Sequence, residues 1–411
     1  MKKLFTILFT ITCFLTYAAD LYVFPGGASP NYSSIHTAVN AAVDGDRVLV
    51  APSTYIENVT MPAISLTIVP LADGGNYTIA GDFDVTATYD GKKAMIVGAI
   101  VQGDFGEANG TSSCSGSQIN ELNIINCEFY QDFYPQICIV TNLYYSTFHC
   151  NGGSMQLMSK EIIGNSFLNT NSSYKTLTCR GITTDWNAAA NALYGDDKVL
   201  KVYGNHFINT KFEVELTSST ESWFENLHIA NNFFEQLTTS PYYSNTNYSL
   251  LRFTSNPSYG MMVPSFLIEN NTFRRGYNSS ENGWAFYNAA SYSSMVIRNN
   301  VIYSSGFGGK VFYFNGGIAT VVNNLFNHST WPSNVTTAGI TSPSNDYFYG
   351  SLQGGSVNAS DNFFNSSSWS SSDIDDNSGI VTTSYATNNG VDIMECRDID
   401  DTQNIFLLIL L

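Results

Sequence analysis

Apolar and polar positions along this chain follow a frame that restarts every few tens of residues. The clearest copy is Ile268-Glu269-Asn270-Asn271-Thr272-Phe273, and it recurs as Ile229 to Phe234, Ile297 to Ile302 and Val321 to Phe326. Weaker copies run Ile124 to Phe129, Leu143 to Phe148, Ile162 to Phe167, Val202 to Phe207 and Ala359 to Phe364. Each has an aliphatic residue, then a polar pair rich in Asn or Gly, then an apolar anchor five positions after the first. The anchors at 129, 148, 167, 207, 234, 273, 302, 326 and 364 lie 19, 19, 40, 27, 39, 29, 24 and 38 residues apart. Self-similarity at this period marks a solenoid, in which each unit buries its apolar face on its neighbours. The gaps of 40 and 39 are near twice the shortest, so a further rung with a degenerate phrase is expected in each.

The frame has a direct physical reading. Residues at anchor minus seven and minus five, such as Leu122 and Ile124, Leu200 and Val202, or Phe266 and Ile268, share one face of a strand because side chains alternate. Lys160 and Thr141 break this rule at their rungs. The polar pair turns the chain, since Asn and Gly tolerate positive φ. Asn side chains can also bond to the equivalent Asn one coil away. The anchor Phe then re-enters the core. A leucine-rich repeat needs a Leu-dominated consensus, which this chain lacks.

Upstream of the repeat, Leu21 to Val23 reads as a strand. Ser33 or Ser34 can cap a helix in which Ile35, Ala38, Val39 and Ala42 form one apolar stripe, and Asp44-Gly45 stops it. Arg47 to Ala51 is a strand and Pro52 to Tyr55 a turn. Glu57 to Met61, Ile64 to Val69, Tyr77 to Ala80 and Ala94 to Val101 follow as strands.

The run Ser34 to Ala42, then Asp44-Gly45-Asp46-Arg47-Val48-Leu49-Val50, then Thr54-Tyr55-Ile56-Glu57-Asn58-Val59, resembles the opening of right-handed parallel β-helix proteins of the pectate-lyase-like superfamily. Ser53 stands where that family usually has Gly. The resemblance implies an all-β, right-handed parallel β-helix solenoid with an N-terminal capping helix at about 34–43. The tail phrase Asn388 to Asp392, followed by Arg397 to Asn404, is similar to the closing phrase of many bacterial secreted β-helix proteins, until Ile405 begins an apolar run to Leu411. That run admits two readings, an altered end or a strand capping the last coil. The expected division is a signal peptide at 1–19, the β-helix at 20–365 and an acidic tail or cap at 366–411.

Composition narrows the function classes. Charged residues are only 12% and the formal net charge is −17; without a leader carrying Lys2 and Lys3 it becomes −19. Such a surface repels nucleic acid and anionic membranes. Lys2 and Lys3, a mostly apolar Leu4 to Leu15 and Thr16-Tyr17-Ala18-Ala19 form an export signal, too short for a membrane span. The expected product is therefore a secreted or cell-surface monomer that does not insert in a membrane. Cys114, Cys127, Cys138, Cys150, Cys179 and Cys396 follow the leader, either as disulfides or as stacked free thiols.

Enzymes of the resembled superfamily include polysaccharide lyases, which need a basic residue and often Ca²⁺, and glycoside hydrolases, which need paired carboxylates. Arg180, Arg252, Arg274, Arg275 and Arg298 lie inside the coils, and Arg252 and Arg275 are the catalytic candidates. The lyase and polygalacturonase phrases themselves are absent. Asp373, Asp375 and Asn377 place oxygen ligands at alternate positions, a candidate Ca²⁺ loop without the EF-hand Gly and Glu. Tyr243, Trp284, Tyr287, Trp331 and Tyr347 fall in or beside loops and suit stacking on sugar faces. With Asn, Ser and Thr prevailing over charge, the expected partner is a polysaccharide or cell-surface glycan, neutral or weakly charged. The alternatives are a lyase or glycoside hydrolase of the same superfamily, and a non-catalytic adhesin or structural surface protein.

Overall fold

The computed structural model describes residues 18–71, 75–86, 91–107, 120–135, 139–151, 155–170, 175–180, 199–216, 226–236, 249–255, 262–275, 284–288, 291–304, 312–314, 318–322, 324–327, 356–360 and 363–364. These form an all-β parallel solenoid. One longitudinal sheet has 13 strands and a second has 12. The third face carries a 3-stranded sheet early in the chain and a 6-stranded sheet later. Each full coil visits the 13-stranded sheet, then the 12-stranded sheet, then the third face. Strands Val199–Tyr203, His206–Ile208 and Thr210–Leu216 make one such coil.

The repeat phrase accounts for this geometry. Its aliphatic residue ends a strand of the 13-stranded sheet, and its anchor sits in the 12-stranded sheet. The first residue of the polar pair has positive φ in coil after coil: Asn126, Tyr145, Gly164, Gly204, Asn231, Asn270 and Asn299. The second residue turns inward. Asn165, Asn205, Asn232, Asn271, Asn300 and Asn324 are all buried. Each Oδ1 from Asn205 onward accepts from the backbone N–H and the Nδ2 of the Asn one coil earlier, at 2.9–3.0 Å. Ser146 continues the ladder toward the N-terminus, where its Oγ accepts from the Cys127 N–H at 3.0 Å. Buried amides are tolerated here because each has a partner on every side.

Inside the anchor row, Phe129, Phe148, Phe167, Phe207, Phe234 and Phe273 stack face to face, with centroids 4.8–5.1 Å apart. Phe167 pairs in register with Phe207, and Phe234 with Phe273. This corrects the expectation of hidden rungs. The gaps of 40 and 39 residues each span a single coil, because the strands at their two ends are adjacent and in register.

The N-terminal region differs from expectation in detail. The expected turn Pro52 to Tyr55 contains the short strand Thr54–Tyr55. The expected strand over 94–101 is two strands, Lys93–Val97 and Ala99–Val101, parted by Gly98 at φ +64°. The helix Ile35–Ala41 buries Ile35, Ala38 and Val39, with Ser34 as its N-cap. Glu57, 22 positions on, accepts from the Ile35 N–H at 2.7 Å and the His36 N–H at 3.3 Å, and its other bond is to the Ser34 hydroxyl. A second ladder runs up an early turn. Asn58, Asp82 and Asp104 each accept, through Oδ1, the backbone N–H of the next residue in the series Asp82, Asp104 and Asp132, at 2.9–3.2 Å.

Cys127, Cys150 and Cys179 are buried free thiols, which decides between the two cysteine readings for these three. Cys114, Cys138 and Cys396, residues 1–17 of the expected leader 1–19, and the tail 366–411 lie outside the described residues. Among the described residues no helix is long and apolar enough to cross a membrane.

Candidate functional site

Three of the sequence-derived candidates fall on the 6-stranded sheet. Its inward positions are Met155, Leu157, Leu177, Cys179, Phe212, Val214, Leu251, Phe253 and Phe286, all buried. The alternate positions form a row in strict register: Gln156, Thr178, Glu213, Arg252, Tyr287, Tyr313. Arg252 and Tyr287 are therefore direct neighbours across adjacent coils, although 35 residues separate them (287 − 252). Glu213 anchors the row. It is ion-paired to Lys211 on its own strand, and its Oε1 lies 3.7 Å from the Nε of Arg252. Trp284 takes the register position opposite Ser249, which is buried.

Arg275 lies on the 12-stranded sheet, between Gln236 and Ser304 in register, and so is not brought to Arg252. Its neighbour Arg274 is buried, ion-paired to Glu235 and set over the Phe233 ring at 5.6 Å. His206 stacks on Phe233, with centroids 4.6 Å apart, and approaches Glu235 at 3.3 Å. Tyr243, Trp331, Tyr347 and the Ca²⁺ candidates Asp373, Asp375 and Asn377 lie outside the described residues. Among the described residues no group of three or more His, Cys, Asp or Glu side chains is placed to hold a metal ion.

A second polar array, not singled out in the sequence, covers the outer face of the 13-stranded sheet. It has three linked groups. Glu121 Oε1 accepts from Lys160 Nζ at 2.9 Å and from Asn142 Nδ2 at 2.8 Å. Glu161 accepts from Lys201 Nζ at 2.9 Å on one oxygen and from the Tyr144 hydroxyl at 2.6 Å on the other. Glu269 Oε1 lies 2.8 Å from His228 Nε2, and its Oε2 accepts from Arg298 Nε at 2.6 Å. With Nε2 donating to a carboxylate, a neutral imidazole accepts at Nδ1, and the Tyr203 hydroxyl lies 2.7 Å from that atom.

The electrostatics follow from these contacts. Burial pushes the Glu161 carboxyl up, but the bonds from Tyr144 and Lys201 and the charges of Lys201 and Lys160 outweigh it, so the net shift is downward. Burial, with Glu269 and Glu161 nearby, pushes the Tyr203 phenol up to about 12. Burial and the bond to Glu161 raise Tyr144 further. Both phenols therefore stay neutral hydrogen-bond donors, and neither is poised as a base.

The signal for this array was present in the repeat frame. Asn142, Glu161, Lys201 and His228 stand at anchor minus six; Tyr144, Tyr203, Glu269 and Arg298 stand at anchor minus four. Those positions face outward by the same alternation that puts minus seven and minus five inside. Compared with protein-family models and with curated proteins, the sequence has no match.

Proposed function

We propose that this chain is an exported, right-handed parallel β-helix of the pectate-lyase-like kind, capped by the helix Ile35–Ala41, that binds an extended polysaccharide or surface glycan along its outer wall. The opening phrase 34–59 supports the family, handedness and cap, and residues 1–19 support export to the cell surface or medium.

The observation that carries the binding reading is the register of Glu213, Arg252 and Tyr287 on the 6-stranded sheet, with the Glu213 and Arg252 side chains part-exposed side by side. Polar groups repeat along the solenoid axis at the spacing of strands, about 4.8 Å. Only an elongated ligand can use several of them at once. A guanidinium beside a carboxylate is a charged, oriented donor, suited to holding hydroxyl or carboxylate oxygens rather than to taking a proton. That favours binding over a lyase reaction with Arg252 as base.

The test is affinity electrophoresis of the full chain through gels carrying one polysaccharide each. Retardation by at least one glycan, weakened by Arg252→Gln at unchanged thermal stability, is the expected outcome. New reducing ends or unsaturated sugars after incubation would replace the binding reading with an enzymatic one.

A further inference from the structure

The 6-stranded sheet does not exhaust the outer wall. On the 13-stranded sheet, Lys201 pairs in register with Glu161 on one side and with His228 on the other. Tyr203 is in register with Ala230, and Glu269 with Arg298. Five consecutive coils thus contribute to one continuous strip of polar side chains. Its charges cancel: Glu161 against Lys201, and Glu269 against Arg298. In a chain of formal net charge −17, a neutral strip of this length stands out from its surroundings.

From this strip we infer a second glycan-binding track on the 13-stranded sheet, selective for a neutral, hydroxyl-rich, extended polysaccharide. The inference rests on the glycan-binding reading but assigns a different face. Three features select the ligand. Both oxygens of Glu161 and both of Glu269 are already engaged, so a polycation meets no unneutralised carboxylate. A polyanion is opposed by the net charge of the chain and finds Lys201 and Arg298 already paired to carboxylates. A neutral polyol meets neither obstacle and can bond to both donors and acceptors.

Lys201 and Arg298 are the accessible heads, with side chains 41% and 46% exposed. Three strand spacings separate their coils, so they stand about 14 Å apart along the axis, the reach of a short oligosaccharide. Beside them stand Tyr203 and His228, whose rings meet edge to face at 4.9 Å; the Tyr203 hydroxyl is bonded to His228 Nδ1, and His228 Nε2 to Glu269. Because the side chains are held before a ligand arrives, little conformational freedom is lost on binding.

The experiment is affinity electrophoresis of the full chain with xyloglucan, galactomannan and hydroxyethyl cellulose as neutral probes, and polygalacturonate and chitosan as charged ones. Variants are Lys201→Ser, Arg298→Gln and their double, with Arg252→Gln as the control for the other face. Circular dichroism and thermal melting confirm folding. At least one neutral glycan should retard the protein, with retardation persisting in 0.5 M salt. Each single variant should weaken it about tenfold, the loss of one charge-assisted contact, and the double should abolish it. Retardation lost in Arg252→Gln but intact in the double variant overturns the track and leaves the first face as the site. Retardation only by charged glycans overturns the track and its ligand class. No retardation by any probe overturns both faces.

Discussion

Asn271 holds Asn232 by two bonds at once: its Oδ1 accepts the backbone N–H and the Nδ2 of Asn232, each at 2.9 Å. Asn271 Nδ2 in turn donates to the Ile229 and Glu269 carbonyls at 2.9 Å and to Asn300 at 3.0 Å. The side chain is buried, so water cannot substitute for it. Asn271→Leu strands several of these groups together. The expected loss is about 3 kcal/mol or more, since each buried orphan costs about 1–3 kcal/mol. A urea unfolding series on wild type and variant reads it. A midpoint within error of wild type would show that the ladder is dispensable.

The Phe stack contributes through packing. Phe207 lies between Phe167 and Phe234, at 4.8 Å from each. Phe207→Ala should cost about 3–5 kcal/mol through lost burial and the cavity left behind. Phe207→Leu keeps most of the volume and should cost much less. Equal losses in the two variants would mean that aromatic stacking, and not filled space, is what the row needs.

Glu57 secures the first helix from 22 residues away. Its carboxylate takes two N–H groups of the first turn, which no intrahelical carbonyl can satisfy. Glu57→Ala should lower stability by about 1–2 kcal/mol, the range of a lost N-cap. Hydrogen exchange should accelerate most at Ile35 and His36. Acceleration spread evenly over the coils would argue against a local role.

Stability should depend on pH through Glu161. Its carboxyl titrates below the ordinary Glu range in the folded protein, so as pH falls the unfolded chain takes up the proton first. The stabilisation is complete above the ordinary value and is lost as pH drops through the lower, folded value. Urea midpoints measured from pH 6 to pH 3 should therefore fall more steeply in wild type than in Glu161→Gln. Parallel curves would remove Glu161 from the account.

The three buried thiols should be inert in the native state. Burial pushes Cys127 and Cys150 up to about 12, and Cys179 higher still. Thiolate is the reactive form, so an aromatic disulfide reagent should label these positions only as fast as the protein unfolds. Rapid native labelling, mapped to these positions by mass spectrometry, would contradict the burial.

Much of the scaffold was legible in the sequence because one short phrase encodes it. Ile268 and Phe273 are buried, Asn270 has positive φ and Asn271 is buried, as the alternation and the turn chemistry require. What misled was distance along the chain. A gap of 40 residues suggests two rungs only if anchor spacing is a property of the coil, whereas the coil requires only that Phe167 reach Phe207. The candidate surface was less legible for a related reason. Glu161, Lys201, His228 and Glu269 are scattered over more than a hundred residues and match no local motif. They meet only when the coils are in register. Their shared signal is the outward parity of the repeat frame, minus six and minus four from each anchor.

The direct pairing of Phe167 with Phe207 turns the solenoid into a ruler that is indifferent to how much chain is paid out between its marks. Lys201 sits beside Glu161 because of coil stacking, although the two are 40 positions apart in the chain. A peptide grafted between Arg180 and Val199, after one strand ends and before the next begins, should therefore leave the strip at Glu161 and Lys201 undisturbed. The molecule can acquire new loops one coil at a time without renegotiating its core.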